Sequence, residues 1–309
     1  MYHQHTSTLS ARSLLDALAS DSDLPALRHA NLDRCGLTAF PPGLLKITGL
    51  TSLSLFDNQL AAIPAEIAGL PHLQSLNLAN NWLSAVPADL GLLEQLEMLD
   101  LGHNRLAALP ESLGALDKLV FLYLSDNQLS SLPSSLAGLS RLRYLNITHN
   151  CFDELPGWIV RLSSLRELRV YNNALTTLPA ELGALPDLVE FHAENNQIAA
   201  LPASIGQLTA LNRLNLRTNR LSELPDSLVN LNRLTELDLR FNAITALPSG
   251  MARLQSLEYL DLRANALTDL PDDLHHLPNL RKIDLRWNRL EKIPPCLAML
   301  AGRGCIVYT

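Results

Sequence analysis

The chain has 309 residues, of which 47% are hydrophobic and only 5% are aromatic, so its core must be built from aliphatic side chains. Its 24 Lys and Arg residues against 31 Asp and Glu residues give a net charge of -7, the wrong sign for a protein that binds nucleic acid mainly through its phosphates. No apolar run approaches the roughly 18 residues of a membrane span, and the first residues lack the apolar segment of a secretory signal peptide. We therefore expect a cytoplasmic protein with neither a nucleic-acid nor a membrane partner.

Residues 1–26 precede a regular repeat and are predicted to form an N-terminal helical cap. Residues 10–19 have the spacing of a short amphipathic helix, with Leu14, Leu15 and Leu18 on one side. Such a helix would cover the first exposed end of a stack of repeats, which needs a cap to shield its core.

A strict period of 23 residues organises the chain from Leu27 to Gly302, where twelve rows align without insertion or deletion. Each row reads LxxLxLxxNxLxxLPxxLxxLxx, with leucine at most of the apolar positions. Proline falls at position fifteen of every row, from Pro41 to Pro294, where its fixed φ suits the start of a helical turn. A unit of this length buries its apolar face only against its neighbours, so the pattern predicts a stack of twelve repeats.

This pattern resembles that of the leucine-rich-repeat family, and in particular its 23-residue LP subclass, which occurs in Scribble, Erbin, the Ras suppressor and plant intracellular Ras-group proteins. The resemblance extends over residues 27–302. It implies an α/β fold, a leucine-rich-repeat solenoid coiled to the right, with a parallel β-sheet on the concave face and short helical, 3-10 or extended turns on the convex face. It also implies binding of a protein or peptide, such as a small GTPase or another signalling protein.

The segment at positions three to seven of each row has the pattern of a short β-strand. Because side chains alternate across a strand, positions four and six should point into the core, and positions three, five and seven should face outwards. Position nine carries an asparagine in every row after the first, where Cys35 replaces it. The amide should pair with backbone groups of the turn that would otherwise be buried unsatisfied. One row carries Phe191 and Ala193 at its inward positions, which predicts an exchange of volume within one core layer.

After the last row, residues 303–309 are predicted to add one more edge strand. Counting the period onward places Ile306 and Tyr308 at positions four and six. Both side chains are therefore expected to point inwards.

The sequence carries no signature of an enzyme. The rows leave too few residues for a separate catalytic domain, and phosphate loops, zinc-ligand spacings, nucleophile elbows and kinase signatures are absent. The four cysteines are expected to be reduced thiols, with a disulfide between Cys296 and Cys305 left open. We expect a monomer without catalytic residues, cofactor or metal ion.

Rings and charges are concentrated on the predicted outward face of the middle rows. Aromatic and arginine side chains of this kind are enriched at protein-binding hot spots, so this group is the first candidate partner site. The alternative is that the rings only cover neighbouring strands through cross-strand packing. The group consists of Phe121, Tyr123, Tyr144, Glu167, Arg169, Tyr171, Glu190 and His192.

Two charged columns run side by side towards the C-terminus and form the second candidate site. Adjacent parallel strands lie about 4.8 Å apart, so each aspartate at position five should lie near arginines at position seven of its own and adjoining strands. The columns either neutralise each other on the surface or present the arginines as a clamp for a carboxylate or phosphate. Phe241 and Trp287, at position eight, would rim such a clamp. The columns contain Asp238, Asp261 and Asp284, and Arg217, Arg240, Arg263 and Arg286.

The sequence thus favours a non-catalytic interaction scaffold and signalling adaptor that binds its partner on the concave face. A second hypothesis is a recognition domain, either of a bacterial effector secreted into host cells or of a larger enzyme complex. Its support is the Ser/Thr-rich start of the chain.

Overall fold

The structure is a computed structural model, which describes residues 10–20, 24 and 27–309 of the chain. The chain divides into two compact units, unit 1 at Met1–Asn150 and unit 2 at Cys151–Thr309. In both units, short strands alternate along the chain with short helical turns, as the repeat pattern predicts. Most of the Ser/Thr-rich start, on which the effector hypothesis depends, lies outside the described residues.

Unit 1 begins with helix α1, Ala11–Ala19, and continues with parallel strands that pair in chain order. Ser10 caps the helix, because its hydroxyl accepts a hydrogen bond from the Ser13 N–H at 3.1 Å. Leu14 is the fully buried residue of this helix. The strands of unit 1 are β1 (His29–Asn31), β2 (Ser52–Ser54), β3 (Ser75–Asn77), β4 (Met98–Asp100), β5 (Phe121–Tyr123) and β6 (Tyr144–Asn146). Its 3-10 turns are Pro42–Lys46, Ala65–Gly69, Ala88–Leu92, Glu111–Ala115 and Ser134–Gly138.

Unit 2 continues the same alternation and ends with a second α-helix and a final strand. Its strands are β7 (Glu167–Arg169), β8 (Glu190–His192), β9 (Arg213–Asn215), β10 (Glu236–Asp238), β11 (Tyr259–Asp261), β12 (Lys282–Asp284) and β13 (Ile306–Tyr308), which also pair in parallel and in chain order. Its 3-10 turns are Gly157–Arg161, Leu182–Ala184, Ala203–Gln207, Asp226–Asn230, Met251–Arg253 and Asp272–His276, and helix α2 spans Pro295–Gly302. Within the described part of the chain, no helix has the length and apolarity needed to cross a membrane.

Positions four and six of the rows form the core, as strand alternation predicts. Leu99 and Leu101 are fully buried, whereas Met98 and Asp100 on the same strand are half-buried on its outward side. The parallel register pairs equal positions of neighbouring rows, for example Leu99 with Leu122. Each inward leucine therefore stacks on the leucine of the next row. We call the outward side of the strands the strand face.

The final strand corrects the predicted register of the tail. β13 pairs Val307 with Ile283, so Val307 takes the inward position that was predicted for Ile306. Ile306 is 53% exposed and Tyr308 is 41% exposed, so the prediction that both point inwards is wrong. The cause is helix α2, which replaces the shorter 3-10 turn of the other rows and is followed by Gly304 in the left-handed conformation (φ 89°), adding one residue to the period. A shift of one residue turns every side chain of a strand to the other face.

All four cysteines are free thiols. The disulfide that the sequence left open between Cys296 and Cys305 is therefore not formed, and both residues are buried. Burial raises the pKa of both thiols above the ordinary cysteine value, so each favours the neutral, unreactive form.

The inward residues Phe191 and Ala193 are both fully buried, and Phe191 pairs in register with Leu168 and Leu214. We expect Phe191→Leu to lower the free energy of unfolding by about 1 kcal/mol, because it leaves a void in a packed layer. Adding Ala193→Leu should recover part of this loss, since cores tolerate volume-conserving exchanges best. Denaturant unfolding of both proteins measures the effect. A double variant no more stable than Phe191→Leu would contradict the volume exchange.

Candidate functional site

The aromatic residues of the first candidate site form a ring cluster on the strand face of unit 1, made of Phe121, Tyr123 and Tyr144. The centroid of the Tyr144 ring lies 6.4 Å from that of Phe121 and 4.7 Å from that of Tyr123. The parallel register of β5 and β6 causes this contact, because it sets Phe121 beside Tyr144. Phe121 is 42% exposed, and the two tyrosines are half-buried. The three rings thus offer one contiguous apolar surface of the kind that can anchor a partner.

The charged residues of the first candidate site form ion pairs on the strand face of unit 2. Arg169 Nε lies 2.5 Å from Glu167 Oε1, and His192 Nε2 lies 3.0 Å from Glu190 Oε2. Each pair joins positions three and five of one strand. Tyr171, the remaining predicted member, follows β7 and is half-buried.

One group of described side chains has the composition of a metal site. The ligand atoms of Glu167, Glu190 and His192 all lie within 4.8 Å of one another. Arg169 pairs with Glu167 at 2.5 Å, however, and Arg213 lies 3.6 Å from Glu190. A divalent cation would have to displace both arginines, so the group is better described as an ion-pair network.

The second candidate site is an interleaved ladder of aspartates and arginines in unit 2. Arg263 donates three hydrogen bonds to the Asp261 carboxylate, at 2.9, 3.1 and 2.6 Å, and its Nε lies 3.5 Å from Asp284. Arg286 donates two hydrogen bonds to Asp284, at 2.9 and 2.7 Å. Arg240 has aspartate oxygens at 3.1 and 3.8 Å. Arg240, Arg263 and Arg286 thus each lie within ion-pair distance of an aspartate of the ladder, whereas Arg217 does not. Whether the ladder also binds a carboxylate or phosphate stays a prediction.

Burial and pairing act in opposite directions on the aspartates of the ladder. Asp284 is only 1% exposed, and this burial would raise its pKa, but the hydrogen bonds from Arg286 outweigh it and hold the pKa below the ordinary value. At Asp238 burial outweighs the attraction of Arg240, and the pKa is raised. Of these two aspartates, Asp284 is thus the one that its arginine partners hold in the charged form.

We expect Asp284→Asn to make the loss of stability in acid less steep. A carboxyl group whose folded pKa lies below its unfolded value of about 3.9 stabilises the fold above that pH and loses its contribution as the pH falls through the folded pKa. The free energy of unfolding of the wild-type chain should therefore fall more steeply below about pH 4 than that of the variant. Chemical unfolding at a series of pH values measures both slopes, with the exposed Asp187→Asn as control. Identical slopes for Asp284→Asn and the wild type would contradict this account.

Phe241 and Trp287 lie beside the ladder in a strained backbone conformation. Position eight is left-handed in every row, which suits a residue such as Asn80 but is costly for bulky side chains. Phe241 has a φ of 57° and is 49% exposed, and Trp287 has a φ of 64° and is 65% exposed. Arg286 lies 5.6 Å from the Trp287 ring centre. Exposed rings at strained positions contribute little to folding, which favours a role in binding.

Two further charged residues of the strand face of unit 2 were not predicted from the sequence. Arg213 lies at position three, 3.6 Å from Glu190 and 3.3 Å from Glu236, and links the side chains of three neighbouring strands. Glu194 lies at position seven, one row before Arg217, and is only 8% exposed although that position was predicted to face outwards. Comparing equal positions of consecutive rows would have revealed both, because opposite charges adjoin there.

Family models agree with this repeat architecture. A model described as leucine rich repeat matches residues 25–83, 48–106, 71–129, 94–152 and 129–175, and one described as leucine-rich repeat region matches residues 191–300. Together the matches cover well over half of the chain. No curated protein matches the chain significantly.

Solved leucine-rich-repeat structures are similar to the chain over most of its length. A leucine-rich-repeat protein of Leptospira interrogans shares 29% identity over 93% of this chain and 85% of its own, with a TM-score of 0.68. The plant peptide hormone receptor RGFR1, in complex with RGF2, shares 27% identity over 93% of this chain but only 55% of its own, with a TM-score of 0.69. An octameric complex of Latrophilin 3, Unc5D and FLRT2 matches with 27% identity over 82% of this chain and 80% of the matched chain, with a TM-score of 0.68. Since the period, the strands and turns it predicts, and the family models all coincide, the chain belongs to the leucine-rich-repeat family.

Proposed function

We propose that the chain is a non-catalytic interaction scaffold that binds a protein or peptide on its strand face, the face expected to be concave. Leucine-rich-repeat proteins generally mediate protein–protein interactions, and the family and its structural neighbours are mostly binding proteins rather than enzymes. Two of the similar structures are complexes, one of a plant receptor with RGF2 and one of Latrophilin 3, Unc5D and FLRT2. The observation that carries the proposal for this chain is the ring cluster of unit 1.

The ring cluster lies where binding needs aromatic side chains and folding does not. Phe121, Tyr123 and Tyr144 occupy outward positions, whereas the core beneath them is built from leucines such as Leu122 and Leu145. Aromatic residues at the centre of a protein interface supply much of its binding energy. If the rings only covered neighbouring strands, their truncation would change stability without changing the affinity for a partner.

Several finer features belong to the same proposal. We propose that the chain belongs to the 23-residue LP subclass, which it resembles in the proline at position fifteen of every row. The partner in this proposal is a small GTPase or another signalling protein. The chain itself acts as a monomeric adaptor in the cytoplasm. Four unpaired cysteines support a reducing compartment.

We expect Tyr144→Ala to weaken the complex with the partner by about 2 kcal/mol, or roughly 30-fold in Kd. The Tyr144 ring contacts both of the other rings, so its removal opens the centre of the cluster. The free energy of unfolding should change little, because substitutions at outward strand positions affect stability only slightly.

The measurement compares proteins retained by the immobilised wild-type chain with those retained by Tyr144→Ala, followed by titration of the protein that differs. Phe56→Ala is the matched control, because Phe56 is a half-buried ring at an outward position of unit 1 outside the cluster. Full affinity in a protein carrying Tyr144→Ala and Tyr171→Ala would show that the partner binds elsewhere, and the ladder from Arg217 to Arg286 would become the better candidate.

A further inference from the structure

Three buried side-chain atoms in the described part of the chain have no hydrogen-bond partner, and all three lie in one column of unit 2. They are Glu194 Oε2, Arg217 Nε and Arg240 Nε. Each residue lies at position seven of its row, two residues after the end of β8, β9 or β10. We call the three the position-seven strip. Buried polar atoms are nearly always paired in native proteins, because an unpaired one has lost its bond to water and gained none. Three of them at one repeat position point to a common cause.

The members of the position-seven strip differ in how much pairing they retain. Glu194 is only 8% exposed, and neither Glu194 nor Arg217 lies within ion-pair distance of a described residue, although the charge of Arg217 does act on Asp238, where it lowers the pKa against the larger effect of burial. Arg240 Nε does lie 3.1 Å from Asp238 Oδ2, but its N–H does not point at that oxygen, so the contact is an ion pair without a hydrogen bond. Hydrogen-bonding capacity is therefore left over along the whole strip.

Position three of the same strands shows that pairing between neighbouring rows is possible here. Glu190 and Glu236 flank Arg213 on adjacent strands, and its nitrogens lie 3.6 and 3.3 Å from their carboxylates. Glu194 and Arg217 have the same charges in the same two rows, yet they do not pair. Pairing between adjacent strands is therefore possible on this surface, but at position seven the chain supplies no hydrogen-bond partner for these three atoms. Because the atoms are buried, their side chains must turn outwards to reach a group outside the chain.

The chemistry of the strip limits what that group can be. The Glu194 oxygen needs a donor, and the two arginine N–H groups need acceptors. A phosphate or carboxylate would suit the arginines but would be repelled by Glu194, and a cation would suit Glu194 but not the arginines. One residue of an extended peptide presents an N–H and a C=O on the same edge. The next such pair follows about 7 Å further along the peptide. The strip extends over roughly 10 Å from β8 to β10, so a peptide that crosses these strands can present more than one such pair to it.

We propose that the position-seven strip binds the main chain of an extended peptide segment. Glu194 accepts a hydrogen bond from a peptide N–H, and Arg217 and Arg240 donate to peptide carbonyl oxygens. The terminal torsion of a glutamate is soft, so the unpaired oxygen can turn towards the peptide without a change of backbone. Phe241, 49% exposed at position eight of the same surface, flanks the peptide. This inference rests on the proposed function, since it specifies how the strand face binds a peptide or an extended segment of a protein.

The first test selects peptides with the full chain. A displayed library of random peptides is depleted on the variant Glu194→Leu, Arg217→Met, and the remainder is selected on the wild-type chain. Both substitutions keep the approximate side-chain volume and remove the hydrogen-bonding groups, while the ion pairs of Arg240 stay intact. We expect peptides that bind the wild-type chain at least about tenfold more tightly than the variant. A library that yields none overturns the proposal.

The second test determines whether the main chain is the bound group. Each backbone amide of a selected peptide is N-methylated in turn, which removes one N–H at a time. Methylation of the amide that faces Glu194 should weaken binding to the wild-type chain about tenfold, but binding to Glu194→Leu less than about twofold, because coupled groups are not additive. Proline at that residue should have the same effect. Equal losses for both proteins would show that Glu194 does not bind the peptide N–H.

Unfolding provides a readout that a structural role of the strip would change. Because the buried Glu194 Oε2 and Arg217 Nε atoms make no hydrogen bond in the free chain, the variant Glu194→Leu, Arg217→Met should unfold at the same denaturant concentration or a higher one. The matched control Arg213→Met removes two ion pairs from the same strands and should leave peptide affinity unchanged. A strip variant with a lower midpoint than Arg213→Met would show that the strip serves the fold. Peptide binding that depends on Glu194 but persists in Tyr144→Ala separates this inference from the ring cluster.

Discussion

Replacing Gly206 with alanine is expected to lower the free energy of unfolding of the chain by about 3 kcal/mol. Gly206 lies in the turn Ala203–Gln207, which packs against the turn of the next row. A Cβ atom at Gly206 would overlap the carbonyl oxygen of Ser227 and lie 2.7 Å from its Cβ. The Ser227 hydroxyl also donates to the Ala203 carbonyl at 2.7 Å, which holds the two turns together. The backbone of one turn would have to move, which costs more than the rotation of a flexible side chain.

Gly157→Ala is the matched control for this expectation. Gly157 also lies in a 3-10 turn of unit 2, but a Cβ atom there would meet no atom within 4 Å. Alanine restricts the unfolded chain more than glycine does, so Gly157→Ala should leave the stability unchanged or raise it slightly. Urea unfolding of the two variants distinguishes the effects. A similar midpoint for both would mean that the close approach at Gly206 is relieved without cost.

The period of the sequence predicts the strands and their inward residues accurately. β4, for example, begins at Met98 and buries Leu99, as the alternation of its row requires. The prediction is specific because every row repeats the pattern and each strand must pair with the same positions of its neighbour. The composition predicted an aliphatic core because only 5% of the residues are aromatic.

The features that the period did not predict depend on distances between rows. The need for glycine at Gly206 arises from the approach of two turns that are distant in sequence. The register of β13 depends on the length of helix α2, and a difference of one residue was enough to expose Ile306. Neither effect can be recognised from the sequence of a single row.

The candidate site was predictable only in part, because strand alternation gives the face of a side chain but not its contacts with neighbouring rows. The ring cluster and the Asp/Arg ladder follow from strand alternation, which states which side chains share a face. Position seven does not follow it as strictly, because Thr148 and Glu194 are 1% and 8% exposed at predicted outward positions. Their burial depends on how neighbouring side chains cover them. The unpaired groups of the position-seven strip therefore required the structure.

The asparagines at position nine connect the backbones of neighbouring rows, and Asn127 shows how. Its side-chain nitrogen donates to the carbonyl oxygens of Leu101 and Leu124, at 3.0 and 3.1 Å, and its Oδ1 accepts from the Leu106 N–H at 2.9 Å. Two of these partners belong to the preceding row. One buried amide thus satisfies three backbone groups that water does not reach.

We expect Asn127→Ala to lower the free energy of unfolding by about 3 kcal/mol, because it leaves these backbone groups buried without a partner. Ser125→Ala is the matched control, since Ser125 belongs to the same row, and its half-buried hydroxyl is no part of the asparagine ladder. Denaturant unfolding should place the midpoint of Asn127→Ala well below that of Ser125→Ala, with unchanged slopes. If the two variants shift the midpoint equally, the asparagine is not the group that pairs the turn, and the continuity between rows must come from leucine packing alone. If Asn127→Asp is nearly as destabilised as Asn127→Ala, the loss can be assigned to the donor, because the carboxylate keeps the acceptor for Leu106 but cannot donate to the two carbonyl oxygens.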